Sequence, residues 1–156
     1  MTDDQQSMQS VRGSVILCDY LNRMEGGKWL IAGTYNRITV VGPQWQGSLT
    51  MFVRMQTEQA GDHLVHVRVM ASHLPMTAPP LTSTQLNVRV PNPNLPIDCG
   101  IHTPIIRMDC PVPYADLLPG QVAPLRLTIW VEVGGHTLST APLELAFVKP
   151  PDQPTV

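Results

Sequence analysis

Five histidines, three cysteines and one Asp–Arg combination are the residues of this chain whose chemistry could build a site. Asp19 and Arg37 lie near opposite ends of two runs that read as paired strands, which suits an ion pair or a contact point for an anion. Partly buried charges are paired as a rule, so the expectation is a structural pair pinning the hairpin. His63 and His66 look like a metal pair, but a spacing of three on a strand sends them to opposite faces. His66 and Arg68 do share a face, enough for a polar patch. His73, His102 and His136 fall on separate loops, and a zinc site needs three or four ligands to converge. Isolated surface histidines are the plainer reading, and no metal is expected.

A catalytic thiol needs a base beside it and an electropositive, reachable setting. Cys18 instead lies inside an apolar strand between Leu17 and Asp19, close to Ile16 and Tyr20, and reads as a small buried hydrophobe. Cys99, before Gly100 in a stretch read as loop, is expected to be the most reactive of the three thiols. The carboxylates Asp62, Asp98, Asp109, Asp116 and Glu132 are dispersed, whereas a calcium loop clusters its oxygens within about a dozen residues. A Gly-x-Ser-x-Gly elbow, a phosphate loop, a dinucleotide fingerprint and His-Glu-x-x-His are all missing. No catalytic residue and no cofactor is expected.

Bulk properties narrow the classes further. A net charge of −2, with ten Lys and Arg scattered singly, argues against a nucleic-acid binder, which carries a basic stripe. The opening MTDDQQSMQS lacks the basic and apolar regions of a signal peptide, and no apolar run approaches a membrane span. The expected compartment is a bacterial-type cytoplasm, where Cys18, Cys99 and Cys110 stay reduced. An odd number of cysteines excludes a closed disulfide framework, though a single Cys99–Cys110 bridge stays open.

The elements that must position these residues are strands. Ser14 to Val41 reads as a hairpin, with Gly26-Gly27 supplying the positive φ of a tight turn. Its second run, Trp29 to Val41, is long and contains Gly33, which suggests a bulge or a close backbone approach. Leu49, Met51, Val53 and Met55 alternate with Thr50, Phe52, Arg54 and Gln56, and Val65, Val67 and Val69, then Leu86, Val88 and Val90, alternate with polar residues. Short runs follow at Ile105 to Cys110 and from Leu125 to Val133, where Gly134-Gly135 turns the chain into a last strand that Pro142 is expected to break or bulge. The segments 73–82, 91–104 and 111–121 read as loops, with one helical turn near Tyr114. Val15, Leu17, Ile31, Val53, Val67, Val88, Leu127 and Ile129 are the predicted core.

Seven or eight short strands with sixteen prolines in turns and edges describe an all-β, antiparallel two-sheet sandwich of immunoglobulin- or C2-like build. A partly closed barrel is the runner-up. The organisation expected is a disordered arm at 1–12, one sandwich domain at 13–149 and a Pro-rich tail at 150–156.

The first hairpin resembles an uncharacterised bacterial family of domains of unknown function. That family has a strand ending Leu-Cys-Asp-Tyr, a Gly-Lys turn, and an Ile-Gly-aromatic-Asp/Asn-Arg-Ile strand. The matching residues here are Leu17, Cys18, Asp19, Tyr20, Gly27, Lys28, Ile31, Gly33, Tyr35, Asn36, Arg37 and Ile38. Ala32 is inserted between Ile31 and Gly33, and Asn36 stands where Asp is common. The closing WVEVGGHTLSTAPLEL is similar to the family's last hairpin. The resemblance implies a compact all-β domain and no particular activity.

Two classes of function remain. The first is a non-enzymatic interaction or scaffold module that binds another protein, or a second copy of itself, through a sheet face or edge. The third strand, SLTMFVRMQ, has no proline and only Arg54 as a charge, and it offers Phe52 on its off-core face. Phe52 and Trp130 would form an aromatic anchor pair beside Arg54, of the kind that dominates interfaces. The alternative for both rings is burial under a second layer of the same chain. The other class is a small-ligand or enzymatic domain with its site on the loops at one end of the sandwich.

Overall fold

A computed structural model describes residues 10–151. Among these residues eleven strands run in order: β1 (Val11–Arg23), β2 (Trp29–Thr34), β3 (Arg37–Val41), β4 (Gln44–Gly47), β5 (Thr50–Thr57), β6 (Gly61–Ala71), β7 (Thr82–Val90), β8 (Ile97–His102), β9 (Ile106–Asp109), β10 (Val122–Val133) and β11 (His136–Val148). The only helical elements among the described residues are two 3-10 turns, Glu25–Gly27 and Tyr114–Asp116. A four-stranded sheet in the order β2-β1-β5-β8 faces a five-stranded sheet in the order β3-β11-β10-β6-β7, and β4 and β9 form a separate ribbon. The fold is the expected sandwich, with eleven strands rather than seven or eight. One pair, β3 with β11, is parallel.

Alternation builds the core. Met51, Val53 and Met55 of β5 point inward, toward Val65, Val67 and Val69 of β6 and toward Leu127, Ile129 and Val131 of β10, all fully or almost fully buried. Each such side chain contributes on the order of 1.5–3 kcal/mol relative to exposure. Six of the eight predicted core residues are buried. Val15 and Ile31 are half-buried, because Val15 lies where β1 has no neighbour on its β2 side and Ile31 sits on the edge strand β2.

The long second strand of the sequence reading is two strands on different sheets. β2 pairs antiparallel with β1, whereas β3 pairs parallel with β11. The chain crosses between the sheets at Tyr35 and Asn36. The Tyr35 amide donates to the Leu17 carbonyl at 3.2 Å, and the Asn36 carbonyl accepts from the Glu144 amide at 2.9 Å. Neighbouring residues are thus stitched to opposite layers. Gly33, at φ +65°, bends β2 just before the crossing. The second half of the hairpin motif quoted above, Ile31 to Ile38, spans this passage.

Further differences are local. Val11 and Arg12 belong to β1, so only residues 1–9 of the expected arm, and residues 152–156 of the tail, lie outside the described residues. Pro142 stays in register opposite Thr128, and the irregularity in the β10–β11 ladder falls instead between Val131 and Glu132. Ile97–His102, read as loop, is a strand held by β5. The expected Asp19–Arg37 pair does not form. Arg37 joins Glu144 at 3.3 Å across the parallel β3–β11 ladder, while Asp19 sits against Gly33 on the other sheet.

Candidate functional site

The three proposed interface residues separate into two places. Phe52 lies on the outer face of the four-stranded sheet and is 6% exposed. Trp29 meets it edge-on, with ring centroids 5.9 Å apart and planes at 66°. Leu21 and Trp29 also lie over Gly100, cross-strand from Phe52, where any side chain would collide with them. Arg54 continues the row: its Nε and Nη2 donate to the two Asp98 carboxylate oxygens at 2.7 and 2.8 Å. Its guanidinium carbon stands 6.0 Å from the Phe52 ring centroid. Phe52 therefore anchors the β1–β2 ribbon onto this sheet, and β5 is an interior strand between β1 and β8. The expectation that the third strand presents Phe52 to a partner is corrected: the alternative, burial of the ring by the same chain, holds for Phe52.

Trp130 lies on the outer face of the five-stranded sheet, on the far side of the molecule. β5 and β10 send their in-phase residues toward one shared core, so their off-phase residues point away from each other. Phe52 and Trp130 cannot form one anchor pair. Alternation shows which residues leave the core but carries no information on which of two facing sheets a strand joins.

Around Trp130 the outer face is mixed. Arg68 is cross-strand from Trp130, and His66 is cross-strand from Glu132. Arg68 Nη2 donates to Glu132 Oε1, and His66 Nδ1 lies 3.7 Å from Glu132 Oε2. His66 and Arg68 share this face, as their spacing required. Glu132 was missed because its partners stand sixty or more positions away, although its off-core phase was readable. The buried Arg68 Nε has no hydrogen-bond partner. Trp130, half-buried, also borders a hollow of about 50 Å³ with Met70, Thr128 and the loop residues Leu74 and Met76. Leu74, Met76 and Leu81 of that loop are exposed. A larger, open groove of about 450 Å³ lies where Val15, Leu17, Tyr35, Asn36, Ala141 and Pro142 approach between the sheets. Tyr35 is its titratable group, and burial, then the nearby Asp19 charge, push that phenol above its ordinary pKa.

His63, His102 and Cys18 have structural partners. His63 is buried on the core phase of β6, its Nε2 2.9 Å from the Gln59 carbonyl. His102 Nδ1 lies 3.0 Å from Thr50 Oγ1. Among the described residues no group of three or more His, Cys, Asp or Glu could hold a metal ion. All three cysteines are free. Cys18 is fully buried, its Sγ directed at the Thr50 carbonyl, and burial followed by the Asp19 charge raises its pKa. Cys99 is not a loop residue. It faces the core opposite Val53, and burial with the Asp98 charge pushes its thiol up to about 11. The expectation that Cys99 reacts fastest is overturned, and Cys110, half-buried, is the more reachable thiol. No helix of the described residues is long and apolar enough to cross a membrane.

No protein-family model matches the chain, and no curated protein matches it. Among solved structures, the exo-chitosanase CsxA of Amycolatopsis orientalis aligns over 87% of this chain at 14% identity with a TM-score of 0.38. Two complexes of variants of that enzyme with PNP-beta-D-glucosamine align equally. The chain spans 12% of the length of that enzyme, and a likeness of this order carries no argument about activity.

Proposed function

We propose that this chain is a non-catalytic interaction module of a bacterial cytosolic protein, and that it holds another protein on the outer face of its five-stranded sheet. The observation that carries the reading is Trp130: a half-buried indole in the middle of an outer sheet face, beside the Arg68–Glu132 pair and the exposed Leu74 and Met76. An aromatic ring next to an arginine and apolar neighbours is the composition of an interface centre rather than of solvated surface. A net charge of −2 disfavours nucleic acid as the partner. Three unbridged thiols suit a reducing compartment.

The test compares wild type with Trp130→Glu. Cross-linking in cells followed by mass spectrometry should yield a partner that wild type retains and the variant loses. The purified pair should then bind in calorimetry with wild type alone, while circular dichroism and melting temperature of the variant stay near wild type. Unfolding of Trp130→Glu would place the indole in the core and end the reading. Equal binding by both forms would end it as well.

A further inference from the structure

Among the described residues, the β7 edge of the five-stranded sheet carries a single charge, Arg89, and lacks the stronger protective devices. Exposed strand edges offer unpaired N–H and C=O groups and are normally kept short, bulged, or marked with lysine or proline. Of the four strands that end the two sheets, β2 and β8 have six residues and β3 has five, whereas β7 has nine. β7, TSTQLNVRV, has no proline and no lysine, and its register with β6 is unbroken. Pro91 and Pro93 follow the strand and do not interrupt it.

The direction of its free backbone groups follows from the neighbouring ladder. Gly134 donates to the Leu64 carbonyl at 3.3 Å and Ser72 to the Arg126 carbonyl at 2.9 Å, so even-numbered residues of β6 turn their backbone groups toward β10. Odd-numbered residues of β6 therefore turn toward β7, where they meet Thr82, Thr84, Leu86, Val88 and Val90. That leaves the N–H and C=O of Ser83, Gln85, Asn87 and Arg89 aimed at the open edge. A second observation marks the same place. Leu86 is on the core-facing phase of β7 yet 36% exposed, while Val88 and Val90 on that phase are 6% and 1% exposed.

We propose that β7 pairs antiparallel with β7 of a second copy, about a two-fold axis at Leu86, and joins the two five-stranded sheets into one. The strand is self-complementary in this register. Ser83 faces the partner's Arg89 and Gln85 faces the partner's Asn87, and these are the residues whose backbone groups are free. Four such pairs exchanging two bonds each give about eight hydrogen bonds. On the core side Thr82 meets Val90, Thr84 meets Val88, and the two Leu86 side chains cover each other. The lone charge, Arg89, never meets its like. The two-fold stands perpendicular to the sheet, so inner faces stay inner and both Trp130 faces look the same way. At about 4.8 Å per strand the two indoles are ~24 Å apart across the sheet, and ~20 Å along it at about 3.3 Å per residue. The dimer is thus a bivalent version of the proposed docking face, and a partner with two epitopes would gain avidity from it. An edge contact of this length lies at the small end of stable interfaces, which implies a dimer that dissociates on dilution.

Light scattering of the full chain across the micromolar to submillimolar range should show a monomer–dimer equilibrium. The double variant Gln85→Lys/Asn87→Lys places like charges opposite each other in the dimer and in solvent in the monomer. It should weaken dimerisation at least tenfold with an unchanged melting temperature. Leu86→Cys should give an oxidised dimer whose cross-linked peptides join position 86 to position 86, since facing non-hydrogen-bonded residues on antiparallel strands have a separation suited to a disulfide. A wild-type monomer throughout the range overturns the proposal. So does a dimer that survives the double lysine variant and gives no link at position 86. Trp130→Glu leaves this dimer intact, so failure of the edge and failure of the docking face read out separately.

Discussion

Asp19 and Gly33 meet across the β1–β2 ladder, with the Asp19 side chain occupying the space that a side chain at Gly33 would need. Gly33 also has φ +65°, a region costly for any residue with a Cβ. The bend that sends the chain to the second sheet depends on both facts. Gly33→Ala should therefore destabilise the fold by roughly 1–3 kcal/mol in chemical denaturation. Adding Asp19→Ala should return part of the loss, because it removes the carboxylate from the collision while the Asp19 Cβ contact and the strained φ remain. A Gly33→Ala variant as stable as wild type would show that the crossing does not need this geometry.

Asp19 and Arg37 should be energetically independent. They bracket the crossing in sequence, but Arg37 is carried to the other sheet, where Glu144 lies between it and Arg126 at 3.3 and 3.7 Å. Both arginines are more than half exposed, with side-chain exposures of 54% and 77%. Arg37→Ala should cost no more than about 1 kcal/mol, as exposed pairs do. A double-mutant cycle between Asp19→Ala and Arg37→Ala should give a coupling within about 0.5 kcal/mol of zero. A larger coupling would mean that the two charges sense one another across the sheets.

These two cases show what was legible in the chain. Val65-Val67-Val69 and Leu125 to Val133 announce their buried face by alternation alone, since each residue's fate depends on its own strand. The glycine pairs at 26–27 and 134–135 mark hairpins because positive φ is a local demand, met here at 78° and 78°, and at 57° and 82°. Partner choice is not local. Nothing within Arg37-Ile-Thr-Val-Val specifies a parallel alignment with residues more than a hundred positions later, and nothing around Cys99 distinguishes a short strand from a loop between prolines. The candidate site failed at that same step: Phe52 and Trp130 have the right phase and the wrong sheets for each other.

That separation gives opposite expectations for the two rings. Phe52 is sealed by Trp29 and by the paired Arg54 and Asp98, so Phe52→Ala should cost about 3–5 kcal/mol, from lost burial and a cavity beneath the β1–β2 ribbon. The ribbon should loosen first, and amide exchange in β2 should rise more than in β10. Trp130→Ala removes a half-buried ring from an outer face and should shift the melting temperature much less. Equal losses from the two substitutions would indicate that Trp130 is as much a part of the packing as Phe52.

Cys99 and Cys110 offer a test that needs no partner. The Cys99 thiol is buried opposite Val53, and its pKa stands near 11 because both the apolar surroundings and the Asp98 charge oppose a thiolate. Thiolate is the reacting form, so with a thiol reagent near pH 8 Cys110 should be modified first, and Cys18 and Cys99 only on unfolding. Peptide mass spectrometry of the native protein over time reads this order directly. The same burial sets a sign for stability. The folded-state pKa is above the unfolded one, so between the unfolded value of about 9 and about 11 the native state holds more protons than the unfolded chain. Stability from this group is complete below that window and falls as pH rises through it. Cys99→Ala should flatten that part of the stability–pH profile, even though it weakens the fold at neutral pH by leaving a gap opposite Val53. A profile just as steep in Cys99→Ala would assign the alkaline loss to other groups, and rapid native modification of Cys99 would mean that β8 opens far more readily than its ladder to β5 implies.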